Sequence, residues 1–252
     1  MAPVTSAIAQ RDPAFADLRL VAAAIAEVTG ATLGYLPEGG NAVGAHLAGV
    51  LPLRGAGGRS VQAPGLNIAD MFAARLKAYI LLGGIEPQRD IASDAAMEAF
   101  KAAECVIALS PYSTAKEHAH VILPIGTFAE TSGTYVNLEG RWQSVPGAAR
   151  PVGEARPAWK VLRVLGNLLN LPSFDYISSD QVTEELRALL HDAAVTPPKA
   201  SARTLQSKLP LTAPSSVRDV PIYQTDAVVR RSPALQSTRE AQQGQGPEKS
   251  QS

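Results

Sequence analysis

Three short runs of apolar residues, each followed by a small residue or a proline, lie in the middle of the chain. They are residues 78–82, 105–109 and 121–123, and the segments between them have helical periodicity. An apolar run of this length, bounded by glycine or proline, is typical of a buried strand in a parallel sheet. The pattern therefore predicts an α/β fold in which a parallel sheet is flanked by helices, with a largely irregular C-terminal tail.

Further elements are predicted on both sides of this sheet. Asp12 and Pro13 provide an N-cap and a first helical residue for a helix that Gly30 would end. A short strand is predicted over 32–36, and a long structured excursion over 126–156. The remaining predicted helices cover residues 41–49, 67–75, 93–103 and 114–119, and two amphipathic helices have apolar faces at 161–169 and 182–190.

The composition changes near Thr196. Residues 1–195 carry 15 Lys and Arg against 19 Asp and Glu, whereas residues 196–252 carry 8 against 4. Ser, Pro and Gln supply 22 of the last 57 residues, and such a segment buries too little apolar surface to offset its chain entropy. The sequence predicts an α/β domain over 1–195 and a linker with a disordered tail over 196–252. Within that tail, residues 217–235 could dock on a partner, and disorder is predicted from Ser237 onward.

Charge and cysteine content exclude several classes of function. Lys and Arg number 23 and Asp and Glu number 23, so no basic excess indicates a nucleic acid or an anionic membrane as partner. Cys105 is the only cysteine, which rules out an internal disulfide or a cysteine-ligated iron–sulfur cluster within this chain. No signal peptide or membrane span is recognised, so we expect a soluble, cytoplasmic protein.

Small residues follow two of the predicted strands. Gly83 and Gly84 end the first strand, and Ser110 ends the second. The carboxyl ends of parallel strands are where open α/β sheets bind ligands, and glycine lets the backbone approach a phosphate. The alternative is that these are ordinary turns between strand and helix, because a fold alone does not imply a site.

Two histidines and the cysteine are weak candidates for chemistry. His118 and His120 would lie on one face of a strand, but a zinc site needs about four ligands, and the other candidate ligands are distant in sequence. Cys105 opens an apolar strand, where a thiol usually acts as a small hydrophobe. No metal site and no catalytic residue are predicted.

The segment from 122 to 147 departs most from ordinary composition. Residues 130–143 read ETSGTYVNLEGRWQ. Polar side chains between glycines suit the rim of a cofactor site or a seam between domains. The alternative is a polar network that holds a long loop through its own hydrogen bonds. With the strand ends, this segment supplies the candidate cofactor-binding residues Gly83, Gly84, Ser110, Thr131, Gly133, Asn137, Glu139 and Arg141.

The sequence VILP at 121–124, followed by ETSGT and NLEGRWQ, resembles the molybdopterin oxidoreductase superfamily. That superfamily includes formate dehydrogenases, nitrate reductases and the large iron–sulfur subunit of respiratory complex I. Other stretches are similar to the complex I subunit family, and together the similarity covers most of residues 15–235. These stretches are LPEGGNAVGA at 36–45, AYILLGGIEP at 78–87, and PGAARP at 146–151 running on to WKVL at 159–162.

The resemblance implies a scaffold in the peripheral arm of the complex, where electrons pass from NADH toward quinone. It implies no cofactor and no catalytic residue in this chain, and the candidate residues would be vestiges of a cofactor site. Family members are much longer, and their N-terminal part carries the cysteines that ligate iron–sulfur clusters. The resemblance therefore implies that such clusters would belong to a missing N-terminal part. We therefore expect a fragment of the C-terminal half of a subunit, from a truncated gene, a frameshift or a partial gene assignment.

The resemblance also implies the partners, which would be the other peripheral-arm subunits. Nucleic acid is not among them, and the membrane would be met only through the complex, at the inner face of the plasma membrane. Two alternatives stay open. One is a non-functional truncated gene product. The other is a pterin- or nucleotide-binding domain that would place Gly83, Ser110, Thr131, Gly133, Asn137 and Arg141 around a phosphate-bearing cofactor.

Overall fold

The computed structural model describes residues 4–5, 15–37, 39–91, 94–191 and 222–243. The chain divides into two compact units: Gly40–Val195 form one, and Met1–Gly39 with Thr196–Ser252 form the other. The grouping of the first residues with the last was not foreseen from composition. The predicted domains, 1–195 and 196–252, stay a prediction.

The unit that holds the N-terminal residues contains a two-stranded parallel sheet. Strand β1 (Val4–Thr5) pairs with β2 (Gly34–Tyr35), and helix α1 (Phe15–Thr29) connects them. Gly30 has a φ of 66°, a left-handed conformation that ends α1 where the sequence predicts. The predicted helix start at residues 12–13 lies outside the described residues.

Two short helices open the larger unit. Helix α2 (Ala42–Ala48) ends at Gly49, whose φ is 78°, and helix α3 (Ile68–Ala73) begins after Asn67. The Asn67 side chain accepts a hydrogen bond from the N–H of Asp70 and so satisfies one donor at the start of α3. The glycine-rich segment between the helices is a loop with one 3₁₀ turn, Ala56–Gly58.

A three-stranded parallel sheet follows, with its strands in sequence order. These strands are β3 (Ala78–Leu82), β4 (Cys105–Ser110) and β5 (Val121–Pro124). They are the three predicted apolar runs, so the predicted α/β class with a parallel sheet flanked by helices is confirmed. The strand order does not reverse within these three strands. In other α/β sheets, a reversal of the strand order opens the crevice in which ligands bind.

Helix α4 (Asp94–Ala102) and its surroundings cover one face of this sheet. Phe100 is 2% exposed and packs edge-to-face on Tyr79, with ring centres 5.1 Å apart. The Tyr79 hydroxyl donates to the carbonyl of Met71 and accepts from the N–H of Leu76, so its polar end is satisfied. The buried core of this face consists of Tyr79, Leu81, Ala96, Ala99, Phe100, Ala103, Val106, Ala108 and Ala115.

The opposite face of the sheet is apolar and open in part, because Leu109 of β4 is buried while residues of β3 and β5 on that face are exposed. Ile80, Ile107 and Val121 are neighbours across the three strands, and Ile80 and Val121 are 55% and 45% exposed. Leu82 is also exposed. The continuous apolar runs predict buried strands, and this is wrong for alternate residues of β3 because α4 covers only one face. We call Ile80, Leu82, Ile107 and Val121 the open face.

The region after β5 forms a hairpin and two helices, as the predicted excursion and amphipathic patterns indicate. The Ser178 hydroxyl accepts a hydrogen bond from the N–H of Gln181, which is one half of a capping box at the start of the second helix. The Gln181 side chain accepts from the N–H of Ile177 instead of returning to Ser178. The elements are β6 (Gly133–Val136), antiparallel β7 (Trp142–Val145), α5 (Ala158–Leu168) and α6 (Ser179–His191).

Short helical segments occupy residues 222–243. The disorder predicted from Ser237 onward is wrong for the last of them, because Ala241 is 1% exposed and its N–H bonds the Thr238 hydroxyl. Residues 196–221 of the predicted linker and the end of the tail lie outside the described residues. The segments are α7 (Ile222–Thr225), a 3₁₀ turn at Val229–Arg231, α8 (Pro233–Gln236) and α9 (Arg239–Gln243).

Replacing Phe100 by alanine tests whether this aromatic ring is central to the core. Phe100→Ala leaves a cavity between α4 and the sheet, and we expect the free energy of unfolding to fall by about 3–5 kcal/mol. Phe128→Ala removes the same atoms from a side chain that is 68% exposed and should cost less than about 1 kcal/mol. Urea unfolding measures both, and equal losses would contradict the assignment of the core.

Candidate functional site

The glycines after β3 are part of a turn that closes on β4. The N–H groups of Gly83 and Gly84 both donate to the carbonyl of Leu109, at 3.0 and 3.3 Å. A Cβ atom on Gly84 would lie 3.0 Å from atoms of Pro111 and Tyr112, and its φ is 75°. Gly84 is therefore required by the packing of the next loop, and the space beside it is filled by side chains of this chain.

Ser110, at the end of β4, is engaged with its own loop. It is 3% exposed, and its hydroxyl accepts from the N–H of Tyr112 and donates to the carbonyl of the same residue, both at 3.0 Å. A second bond joins the two strand-end loops, from the Thr114 hydroxyl to the Glu86 carboxylate at 3.2 Å. The structure thus brings Gly83, Gly84 and Ser110 together, as expected, but with their polar groups paired.

Asn137, Glu139 and Arg141 form the turn between β6 and β7. The Asn137 side-chain oxygen accepts from the N–H groups of Glu139 and Arg141, at 3.0 and 2.9 Å. Gly140 has a φ of 78°, which such a tight turn requires. The Arg141 guanidinium and the Glu139 carboxylate are exposed and lie 3.9 Å apart, a pair that contributes little to stability.

Thr131 and Gly133 lie at the start of the hairpin. The Thr131 hydroxyl bonds the carbonyl of Ser132 at 3.3 Å. Gly147 has a φ of 83°, and a Cβ atom on it would lie 3.2 Å from backbone atoms of Thr131. Gly133 pairs with Val145, and a Cβ atom there would meet nothing within 4 Å. The candidate residues therefore fall into two groups, one at the strand ends and one in the hairpin.

Asn41 has a role in this region that the sequence pattern did not indicate. Its side-chain oxygen accepts from the N–H of Val136 at 2.8 Å, and its amide nitrogen donates to the carbonyl of Thr134 at 3.4 Å. It therefore pairs with the edge of β6 as a neighbouring strand would. A Cβ atom on Gly44 would collide with the Asn41 amide, so the spacing of asparagine and glycine in GGNAVGA was the available signal.

Helix α6 holds the other side of the hairpin. The Ser179 hydroxyl donates to that of Ser132 at 2.8 Å, and the hydroxyls of Thr183 and Thr134 are 3.0 Å apart. The Arg187 guanidinium lies 4.9 Å from the ring centre of Trp142. Polar side chains of the predicted excursion thus form a seam between the hairpin and α6, which matches the alternative of a self-contained polar network.

The capping of the turn before the hairpin depends on Glu130. Its carboxylate accepts from the N–H and the hydroxyl of Thr127, at 2.8 and 2.9 Å. These bonds, the backbone N–H first, hold the pKa of Glu130 below its ordinary value of 4.5, and partial burial opposes them. Glu130 is thus an ionised structural carboxylate.

The histidines and the cysteine occupy separate positions. His118 follows a 3₁₀ turn (Ser113–Glu117) that replaces the predicted helix, and His120 lies just before β5, so the expectation of one shared strand face is wrong. Cys105 is half-buried and free. Across the described ranges, no group of three or more His, Cys, Asp or Glu residues could hold a metal ion. No helix in the described part is long and apolar enough to cross a membrane.

A phosphate-bearing pterin would need unpaired donors and open space at the candidate positions. At the strand ends, the N–H groups of Gly83 and Gly84 and the Ser110 hydroxyl are already bonded within the chain. In the hairpin, the Asn137 oxygen is used twice by the turn. The strand-end residues therefore do not fit such a group, and in the hairpin Arg141 offers charged donors from an exposed turn.

Comparison with known proteins gives a family and several relatives. Residues 8–168 match the family model described as Molybdopterin oxidoreductase. A NADH-ubiquinone oxidoreductase 78 kDa subunit from Candida albicans is 50% identical over 62 residues, 24% of this chain and 9% of that protein. A nitrate reductase from Synechocystis is 34% identical over 113 residues, 44% of this chain and 16% of that protein.

A bacterial relative extends the match. A NADH-quinone oxidoreductase subunit from Mycobacterium bovis is 31% identical over an alignment of 152 residues, which covers 51% of this chain and 19% of that protein. The chain therefore spans between 9% and 19% of the length of these relatives.

Changing Asn41 tests its role at the edge of β6. Asn41→Ala leaves the N–H of the buried Val136 without its acceptor, and we expect a loss of about 1–3 kcal/mol in the free energy of unfolding. Asn41→Asp keeps an oxygen at that position and should lose less. Thermal or urea unfolding of both variants checks this, and an alanine variant as stable as the parent would contradict it.

The pH dependence of stability tests the Glu130 cap. Because the pKa is lower in the folded chain, the carboxylate stabilises fully above about pH 4.5, and the stabilisation is lost as pH falls through the folded pKa. The difference in unfolding free energy between the parent chain and Glu130→Gln should therefore shrink between about pH 7 and about pH 3. A difference that stays constant over this interval would contradict the assignment.

Proposed function

Because the chain belongs to the molybdopterin oxidoreductase family, we propose that it is a structural part of the peripheral arm of a NADH:quinone oxidoreductase. The names of the Candida albicans and Mycobacterium bovis relatives support this complex over other members of the family. In this proposal the chain supports electron transfer from NADH to quinone and carries out no redox step with its own residues.

The engagement of the candidate cofactor residues in the chain's own hydrogen bonds is the observation that carries the structural role. Gly84 accommodates the next loop, Ser110 closes on Tyr112, and Asn137 builds a turn. Packing and hydrogen bonds within the chain account for each of these residues without a ligand. The proposal accordingly assigns neither a catalytic residue nor a cofactor to this chain, and places iron–sulfur clusters elsewhere in the assembly.

The open face gives the proposed scaffold a surface for another subunit. Contiguous apolar area on a sheet is stabilised when a partner covers it, by roughly 25 cal/mol for each Å² removed from water. We assign this face to the apolar surface of a neighbouring peripheral-arm subunit. The membrane is met only through the complex, at the inner face of the plasma membrane, and no nucleic acid takes part.

Isolation of the complex tests the proposal. An epitope-tagged copy of the chain, expressed in the source cells, should migrate on a native gel with the band that oxidises NADH. A dye-reduction stain for NADH dehydrogenase activity identifies that band, and an antibody against the tag locates the chain. Migration of the folded chain solely as a free species would refute the proposal.

The second candidate function is a pterin- or nucleotide-binding oxidoreductase domain. The nitrate reductase relative favours it, because that match covers 44% of this chain. Elemental analysis for molybdenum and tungsten, with pterin fluorescence after oxidation, distinguishes the two. One metal or pterin for each purified chain would support this candidate and overturn the structural role.

Substitutions on the open face test the assigned contact. Ile80→Lys places a charge on a side chain that is 55% exposed in the chain alone but covered in the assembly. We expect the fraction of chain in the complex to fall by about tenfold or more, because an unpaired charge is costly to bury. Val152→Lys makes a similar change at a residue that is 79% exposed outside this face and should assemble normally.

Thermal unfolding of both variants, measured in the isolated chain, separates assembly from folding. Both positions are exposed, so both variants should unfold near the parent temperature. An Ile80→Lys chain that assembles as well as Val152→Lys would remove the open face from the proposed contact.

A further inference from the structure

A pocket lies at the amino-terminal ends of β4 and β5, opposite the strand ends discussed above. The end of α4 forms one wall, and the segment from Lys116 to His120 forms the other. Met97 and Phe100 provide apolar lining beside the charged residues. We call this the basic pocket.

The basic pocket carries more positive than negative charge. Lys101 and Lys116 line it from its two walls, and Glu117 is its acidic residue. Both lysines are exposed, and in the described part of the chain neither forms an ion pair. Two ammonium groups without carboxylate partners beside one pocket attract an anion, most strongly one with two charges.

His120 contributes a hydrogen-bond donor whose proton position is fixed by the fold. Its Nδ1 accepts from the N–H of the buried Val106 at 3.0 Å, and its own backbone N–H donates to the carbonyl of Val106 at 2.9 Å. Because Nδ1 accepts, the proton of the neutral ring is on Nε2. That N–H group is available to an acceptor in the pocket.

His118 adds a polar atom that lacks a partner. Its Nε2 is shielded from solvent and has no hydrogen-bond partner among the described residues, while its ring lies 6.3 Å from that of Phe100. Burial lowers the pKa of His118, and the negative charge of Glu117 opposes this. A shielded nitrogen without a partner costs free energy that an acceptor in the pocket would recover.

We propose that the basic pocket binds a small tetrahedral oxyanion with two negative charges, of the phosphate or sulfate type. Its oxygens would accept hydrogen bonds from the ammonium groups of Lys101 and Lys116 and from Nε2 of His120. Lysines repel a metal ion, and a carboxylate carries one charge where the pocket offers two ammonium groups. This site is distinct from the candidate cofactor residues and does not depend on assembly into a complex.

Titration of the full chain with sulfate tests the proposal. Sulfate keeps two negative charges throughout the neutral range, and sodium chloride holds the ionic strength constant. Ring proton resonances of His118 and His120 should shift and saturate, with a dissociation constant on the order of 1 mM. Inorganic phosphate should compete for the same site, and acetate should bind more weakly. Tighter binding of acetate would overturn the choice of a tetrahedral dianion.

Charge removal at the pocket provides the decisive comparison. The double variant Lys101→Gln, Lys116→Gln should weaken sulfate binding by about tenfold or more, since each ammonium contributes a charge-assisted hydrogen bond. The control Arg150→Gln, Lys160→Gln removes the same charge elsewhere in the same unit and should bind as the parent does. All four positions are exposed, and thermal unfolding verifies that both variants fold.

Besides tighter binding of acetate, two further outcomes would overturn the proposal. Shifts that grow linearly with sulfate without saturation would mean that no site is formed. Equal weakening in the pocket variant and the control would mean that sulfate responds to net charge alone.

Discussion

The amide of Asn41 completes the edge of β6, and the arrangement of the hairpin and α6 depends on that pairing. A hairpin of two short strands is only marginally stable in water, so β6 and β7 need support from outside. Asn41 supports the backbone at the edge of β6 through its hydrogen bond with Val136. The hydroxyls of Ser179 and Thr183 support the hairpin region through its side-chain hydroxyls. The bonds of Asn41 join segments that are 93 and 95 residues apart in sequence.

The polar residues of the candidate cofactor site hold loops together in this chain. Family membership rests on the match of residues 8–168 to the family model, whereas cofactor binding requires that the donors of these residues be free. In the strand-end loops the donors are bonded to the chain's own carbonyl groups. A sequence can therefore resemble that of a cofactor-binding family while its donors are bonded within the chain, because one hydrogen-bond donor can serve either a cofactor or a neighbouring loop.

The sequence predicted those features that local patterns determine. The three apolar runs became β3, β4 and β5, and Gly30 ended α1, because strand pattern and left-handed glycine are properties of a few adjacent residues. Exposure of Ile80 could not be predicted, since it depends on which face another element covers. The roles of Asn41 and His120 depend on partners brought near by the fold, and α9 depends on the burial of Ala241, which composition does not express.

The open face also governs how this chain behaves when it is in excess of the neighbouring subunit proposed to cover that face. A copy that has not met its neighbour presents Ile80, Leu82 and Val121 to other copies, and apolar strips of this kind self-associate. Association between copies and association with the neighbour then compete for one surface. In the proposed assembly, the ratio in which the two polypeptides are synthesised would therefore set the fraction of this chain that reaches the complex.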